Sequence, residues 1–217
     1  MPPDERQVVA ASVTLGAAVG VFAVAFGVGS VAAGASVAQT CAMSLLVFTG
    51  ASQFLAVSVV SAGGSALSAF GGAVLLAARN AVYGLTMSRH LGGRLPTRLV
   101  AAQITIDEST AMATAQSTAV SRRRAFWITG GSVYVFWNVG TLIGALAGSA
   151  VDPEAFGLDA AFPAGFVAMV VPHLESRGGR AAALVGASVC LVTIPVLPVG
   201  LPILVASVGV LFGVRRP

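Results

Sequence analysis

Three charged side chains, Arg79, Asp107 and Glu108, lie inside stretches that are otherwise almost wholly apolar or small. Arg79 sits within Ala73–Leu85, and Asp107-Glu108 interrupt Leu99–Thr118. At membrane depth a charge costs about 2.5–3.5 kcal/mol on insertion scales, and it persists where it is paired or faces a wet cavity. The planar fork of Arg79 suits bidentate pairing with a carboxylate. That carboxylate is Asp107 or Glu108 in a structural reading and a bound substrate's in a functional one. Tyr83, four residues after Arg79, shares its helical face. Two readings stand for the acidic pair. Thr105 and Glu108 fit a capping box, Ser/Thr-x-x-Glu, that starts a helix at Ile106. Alternatively, Asp107 meets a cationic group or pairs with Arg79, and Asp107 or Glu108 relays a proton.

Thr49–Phe54 is the second chemically promising stretch. Gly50, central in a long apolar run, lowers helix stability by about 1 kcal/mol relative to Ala. A break there frees backbone groups at mid-depth, with Thr49, Ser52 and Gln53 beside them. The half-helix after the break then points unpaired N–H groups at a carboxylate. In the alternative, the hydroxyls bond back to their own helix and Gln53 bridges to a neighbour. Gly50-Ala51-Ser52 also bears a loose likeness to a serine nucleophile. An intramembrane hydrolase would need His90 or His173 as base, and neither lies mid-span, so no catalytic residue is assigned. Asn138, a lone polar residue in an apolar helix, fits a helix–helix hydrogen bond.

The elements that position these residues are membrane helices. The chain is 56% hydrophobic and 9% charged, with a mean hydropathy of +0.90; soluble domains are about one quarter charged. An all-α, polytopic integral membrane protein is implied, with residues 1–217 as one domain. About 20 apolar residues cross a bilayer as a helix. Candidate spans are Val8–Gly29, Val37–Ala62, Ala66–Ser88, Ala125–Val151, Ala160–Leu174, Ala181–Leu197 and Val199–Val214. Leu99–Thr118 is an eighth, spanning or re-entrant, and the last pair reads as a hairpin turning near Pro198–Gly200. A faint repeat relates Val21–Gly34 and the Thr49-Gly50 interruption to Val135–Gly148 and Pro163, within halves 8–98 and 125–217. Paired broken helices of this kind point to a transporter's binding site.

Net charge is +4, carried by arginines clustered in Arg89–Arg98, Arg122–Arg124 and Arg215-Arg216, whereas Asp152–Asp159 holds only acids. That asymmetry fits cytoplasmic loops against anionic lipid, and not nucleic-acid binding. With no lysine in the chain, a Walker A site for ATP and a Schiff base are both excluded. Cys41 and Cys190 lie far apart in apolar segments and read as core residues, not metal ligands or a disulfide. No cofactor is expected.

Gly50-Ala51-Ser52-Gln53-Phe54, then Arg79 to Tyr83-Gly84, then Asp107-Glu108-Ser109 succeed one another as in the AzlC family, which this chain resembles along most of its length. Family members are large subunits of bacterial branched-chain amino-acid exporters. The chain departs from the family pattern at Asn80, where His is frequent, and at Ile106, where Thr is frequent. The resemblance implies a multi-pass protein of the bacterial inner membrane, without enzymatic activity. It would export leucine, isoleucine, valine or methionine together with a small hydrophobic AzlD-type subunit. Substrate contacts would come from Gly50, Ser52, Gln53, Arg79, Tyr83 and Asp107, and proton coupling from Asp107 and Glu108. Secondary transport, without an ATPase, is the expected drive. A structural membrane subunit is the alternative of a different class.

Overall fold

A computed structural model of the chain describes residues 3–150, 167 and 170–213, and these are largely helical, with no strand among them. The elements are α1 (Pro3–Ala32), α2 (Val37–Leu46), α3 (Ala51–Ser61), α4 (Ala66–Ser88), α5 (Leu95–Gln103), α6 (Asp107–Thr114) and α7 (Ala119–Ala150). A 3-10 turn at Val171–Glu175 leads to α8 (Arg177–Thr193). The chain then returns through α9 (Leu201–Ala206), a 3-10 turn at Ser207–Gly209 and α10 (Val210–Gly213). Among the described residues three helices, α1, α4 and α7, contain stretches long and apolar enough to cross a membrane.

The frame of the bundle is α1 against α7, and they run parallel. Ser12 meets Thr129 at one end, Gly20 faces Phe136 in the middle, and Val28 lies against Gly148 at the other. Contact is this close because glycines leave room for backbone. A Cβ on Gly140 would collide with the Gly20 carbonyl, and one on Gly144 with that of Val24. Small residues at such spacing are how membrane helices gain packing without a hydrophobic driving force. Hydroxyl pairs add to it. Ser12 Oγ lies 2.8 Å from Thr129 Oγ1, and Ser44 Oγ donates to Asn138 Oδ1 at 2.8 Å. Asn138 is thus the helix–helix bridge its surroundings suggested, and its Nδ2 donates back to the Tyr134 carbonyl.

Val37–Ala62, expected from its length to cross the bilayer, instead folds back on itself. Ser36 caps α2 by accepting from the Gln39 N–H, and α2 begins beside the end of α1, where Ser30 Oγ is 2.9 Å from Thr40 Oγ1. By Leu45 the chain has reached Tyr134, halfway along α7. Then α3 returns, and Val60 shares a groove with Ser30, Gly34 and Gln39, back where α2 started. Ten and eleven residues make helices of about 15–17 Å, half the hydrocarbon thickness each.

The segment 95–114 makes the same excursion from the opposite end. His90 at the end of α4 lies 3.4 Å from Arg122 at the start of α7, so both ends of the α5–α6 hairpin are on one side. Its tip reaches mid-depth, where Ile104 packs on Gly130 and Ile106 on Val133 and Trp137. Leu99–Thr118 is therefore re-entrant. The unit α1 with α2–α3 and the unit α4 with α5–α6 run in opposite directions, so two hairpin tips meet in the middle. The repeat anticipated between halves 8–98 and 125–217 has its first arms, Val21–Gly34 and Val135–Gly148, packed side by side. Its second arm around Pro163 lies outside the described residues, as do Asp152–Asp159 and Arg215-Arg216. The terminal pair is a hairpin as expected, with Gly178 against Gly213, Gly186 against Ala206, and a turn at Gly200.

Two outcomes test this arrangement. With Cys41 and Cys190 replaced, Ala32→Cys and Ala62→Cys will react with a membrane-impermeant maleimide from one side, and Gly92→Cys and Ser117→Cys from the other. Reaction of Ala32→Cys and Ala62→Cys from opposite sides would make α2–α3 a span. Gly144→Leu will lower thermal stability in detergent by at least about 1–3 kcal/mol, the range for overpacking a tight contact.

Candidate functional site

Where a helix ends inside a bilayer, its freed backbone groups need partners, because hydrocarbon offers none. At the α2–α3 break these come from three side chains. Gln103 Nε2, on the facing hairpin, donates to the Leu45 carbonyl at 2.8 Å, and Tyr134 Oη donates to the same oxygen at 3.1 Å. Gln53 serves both ends of the break. Its Nε2 donates to the Met43 carbonyl at 3.1 Å, and its Oε1 accepts the Gly50 N–H at 3.1 Å. Gly50 starts α3 at φ +60°, a left-handed conformation that glycine adopts without strain.

The α5–α6 break is closed locally. Ser109 Oγ accepts from the Ile106 N–H at 3.1 Å and donates to the Ile104 carbonyl at 2.8 Å. This corrects the expected Thr105–Glu108 capping box. Thr105 stands one residue before the Ile106 cap, so Glu108 is the second and not the third residue of α6, and the Thr105 hydroxyl turns back to donate to the Ala101 carbonyl at 2.7 Å. Helix α6 begins at Asp107 with Ile106 as its cap, which leaves Asp107 and Glu108 in its first turn. In both hairpins the third residue of the inner half-helix, Gln53 or Ser109, reaches back to the N–H of the residue before it.

Between the two tips lies a cavity of about 140 Å³. The start of α3 (Thr49, Gly50, Ala51) forms one wall, the start of α6 (Ile106, Asp107, Glu108) another, and Arg79 of α4 also lines it. Val19, Phe22, Phe48, Phe54, Val133 and Trp137 supply the apolar remainder. Arg79 Nη1 donates to Asp107 Oδ2 at 3.2 Å, so the partner anticipated for the buried arginine is in place. The two side chains are 33% and 42% exposed, in keeping with groups on a cavity rather than sealed in a core.

The electrostatics of the two helix starts differ. Each carries a partial positive charge. At α6 it is met by Asp107 and Glu108, whereas the first turn of α3 holds no acid. One side of the cavity therefore favours an anion, and the other, with two carboxylates against one guanidinium, favours a cation.

Of the seven residues singled out from sequence, Gly50, Arg79, Asp107 and Glu108 line this cavity. Gln53 is buried beside it with both ends of its amide engaged by backbone. Ser52 is buried one position beyond the lining residues, and its hydroxyl has no partner among the described residues. Tyr83 is half-buried on α4 and does not line the cavity. His90 is exposed at the end of α4, half a bundle away from Ser52, and the His173 side chain lies outside the described residues. The sequence reading missed Trp137 as a wall of the site. Its indole is 3% exposed, stacked on Phe26 at a 5.9 Å centroid separation and edge-on to Phe54 at 6.1 Å. In sequence it is one more aromatic in an apolar helix, and nothing there marks it out.

The ion pair can be tested by a double-mutant cycle. Arg79→Gln and Asp107→Asn, made singly, will each lower thermal stability, Arg79→Gln by about 1–3 kcal/mol because it leaves both carboxylates uncompensated, and Asp107→Asn by less because Glu108 stays beside Arg79. The double variant will lose less than the sum of the two, by at least about 0.5 kcal/mol of coupling.

No curated protein and no solved structure matches the chain. The AzlC protein family does match, over residues 14–151, from the first turns of α1 to the end of α7 and so across both hairpins and the cavity. With that match over more than half its length, the chain belongs to the AzlC family and is a membrane transport-related protein.

Proposed function

We propose that the chain exports branched-chain and other neutral hydrophobic amino acids (leucine, isoleucine, valine and methionine) as the large subunit of a two-component secondary exporter in the bacterial inner membrane. The observation that carries this reading is the cavity at the meeting of the hairpin tips, which has a cationic helix start, a carboxylate pair and an apolar wall in one small space. A neutral amino acid at physiological pH is a zwitterion with one group of each sign. The start of α3 suits its carboxylate, Arg79 lines the same cavity with one N–H on Asp107, and Asp107 or Glu108 suits the ammonium or a coupling proton. The aromatic and branched wall suits an aliphatic side chain.

A small hydrophobic AzlD-type subunit completes the exporter in this reading, and transport draws on the proton gradient, not on ATP. Arg89, Arg94, Arg98 and Arg122–Arg124 all belong to the end of the bundle where α4 finishes and α7 begins. The positive-inside rule puts that end in the cytoplasm. A purely structural membrane subunit has less in its favour, since it has no use for a charged cavity at mid-depth, where charge is expensive.

Cells expressing the chain with its small partner, preloaded with radiolabelled leucine, valine or methionine, will release label faster than vector controls. A protonophore will abolish the difference, and Asp107→Asn will cut the initial rate by about tenfold, as loss of one charge-assisted contact does. No efflux of any of the three from membrane-inserted protein with its partner present would overturn the proposal.

A further inference from the structure

We infer that Thr49 and Trp137, together with the first N–H groups of α3, form the carboxylate end of the substrate site, and that Arg79 stays on Asp107 during binding. The inference rests on the amino-acid reading above and assigns the orientation of the bound molecule.

Backbone groups freed at the hairpin tips are met by dedicated side chains, namely Gln53, Gln103, Tyr134 and Ser109. Against that background, Thr49 Oγ1 and Trp137 Nε1 are buried without a hydrogen-bond partner among the described residues, and both residues line the cavity. Leaving such a group unmet is unfavourable anywhere and more so where no water substitutes. Other buried side-chain atoms without a partner, on Ser52, Asn80, Thr110 and Arg122, belong to residues that do not line it.

Both groups can donate. An indole N–H donates only, and a threonine hydroxyl, which can also accept, has a proton to give. The first N–H groups of α3, at Ala51 and Ser52, have no carbonyl within the helix to receive them. Trp137 is held against this helix start, with its Cη2 3.7 Å from where a Cβ on Gly50 would stand. Donors of three kinds and a helix dipole uncompensated by any acid thus surround one side of the cavity, which is the description of an anion site. Arg79, the other donor available, already gives an Nη1 proton to Asp107, whereas the Thr49 and Trp137 groups have no partner among the described residues. The carboxylate therefore belongs by α3, and the ammonium faces Glu108 across the apolar wall.

Leucine and leucinol separate the claims, because leucinol keeps the ammonium and the side chain but lacks the carboxylate. Saturable binding of both would be measured on the purified protein with its small subunit. Wild-type protein will prefer leucine. Trp137→Phe and Thr49→Val will each weaken leucine binding by about tenfold or more, the worth of a hydrogen bond to a charged group, and leave leucinol within about twofold. Thr49→Ser, which keeps the hydroxyl, will restore leucine binding. Thermal unfolding of each variant checks that the aromatic cluster still packs. Leucine affinity unchanged in both variants, or leucine and leucinol weakened alike, would overturn the assignment while leaving the exporter reading intact. Wild-type protein that binds neither compound would overturn both.

Discussion

A helix that stops in the middle of a bilayer leaves carbonyl and N–H groups where there is no water to take them, and each one left bare costs several kcal/mol. This fold stops two helices there, and the rest of its design comes from closing those ends. Gln103 reaches from one hairpin to the last carbonyls of the other, Tyr134 comes in from α7, and Gln53 spans its own break. These bonds fix how deep each tip can go. They also fix how far apart the tips sit, and hence the size of the space between them. Because the hairpins enter from opposite ends, both inner half-helices begin in that space. The site is the place where two interrupted helices are obliged to cooperate.

The long helices provide the geometry for that cooperation. Helices α1 and α7 lie closer than ordinary side chains allow, and their glycines hold the aromatic cluster of Phe26, Phe54 and Trp137 at one level of the bundle. The cavity sits on this cluster. Its charged groups come from α4 and α6, which α7 and the hairpin core anchor through Met87, Ile104, Ala113 and Phe126. The charged groups and the rigid apolar frame are thus carried by different helices.

Much of the site was legible before the fold was known, for a physical reason. Charge inside an apolar run is expensive, so Arg79, Asp107 and Glu108 stand out, and the pairing of Arg79 with Asp107 comes from the need of each for a partner. The break at Thr49-Gly50 was legible too, because glycine in mid-helix is unfavourable and polar side chains that can meet freed backbone groups stand beside it. What hydropathy does not carry is direction. Twenty-six residues, from Val37 to Ala62, are long enough for one crossing, and equally for two half-crossings that turn back. Hydrogen bonds over long sequence distances, such as Gln103 to Leu45, decide between them. The capping residue of α6 differs from the motif on the same account, since Thr105-x-x-Glu108 matches in letters but the helix starts one residue later, with Ile106 as its cap. Trp137 was silent because an aromatic that packs and an aromatic that also offers an N–H to a cavity look identical in a string of letters.

The parallel contact of α1 with α7 has a consequence for how the protein is made. Ser12 and its partner Thr129 are separated by 117 residues. At elongation rates of about 5–20 residues per second, α1 waits roughly 6–23 s in the membrane before the face it was built for arrives. During that interval its glycine face has only lipid against it, and both hairpins must be threaded in before the seam can close. The contact that holds the bundle together therefore forms late, and a nascent chain halted before α7 has no stable frame on which to assemble a site.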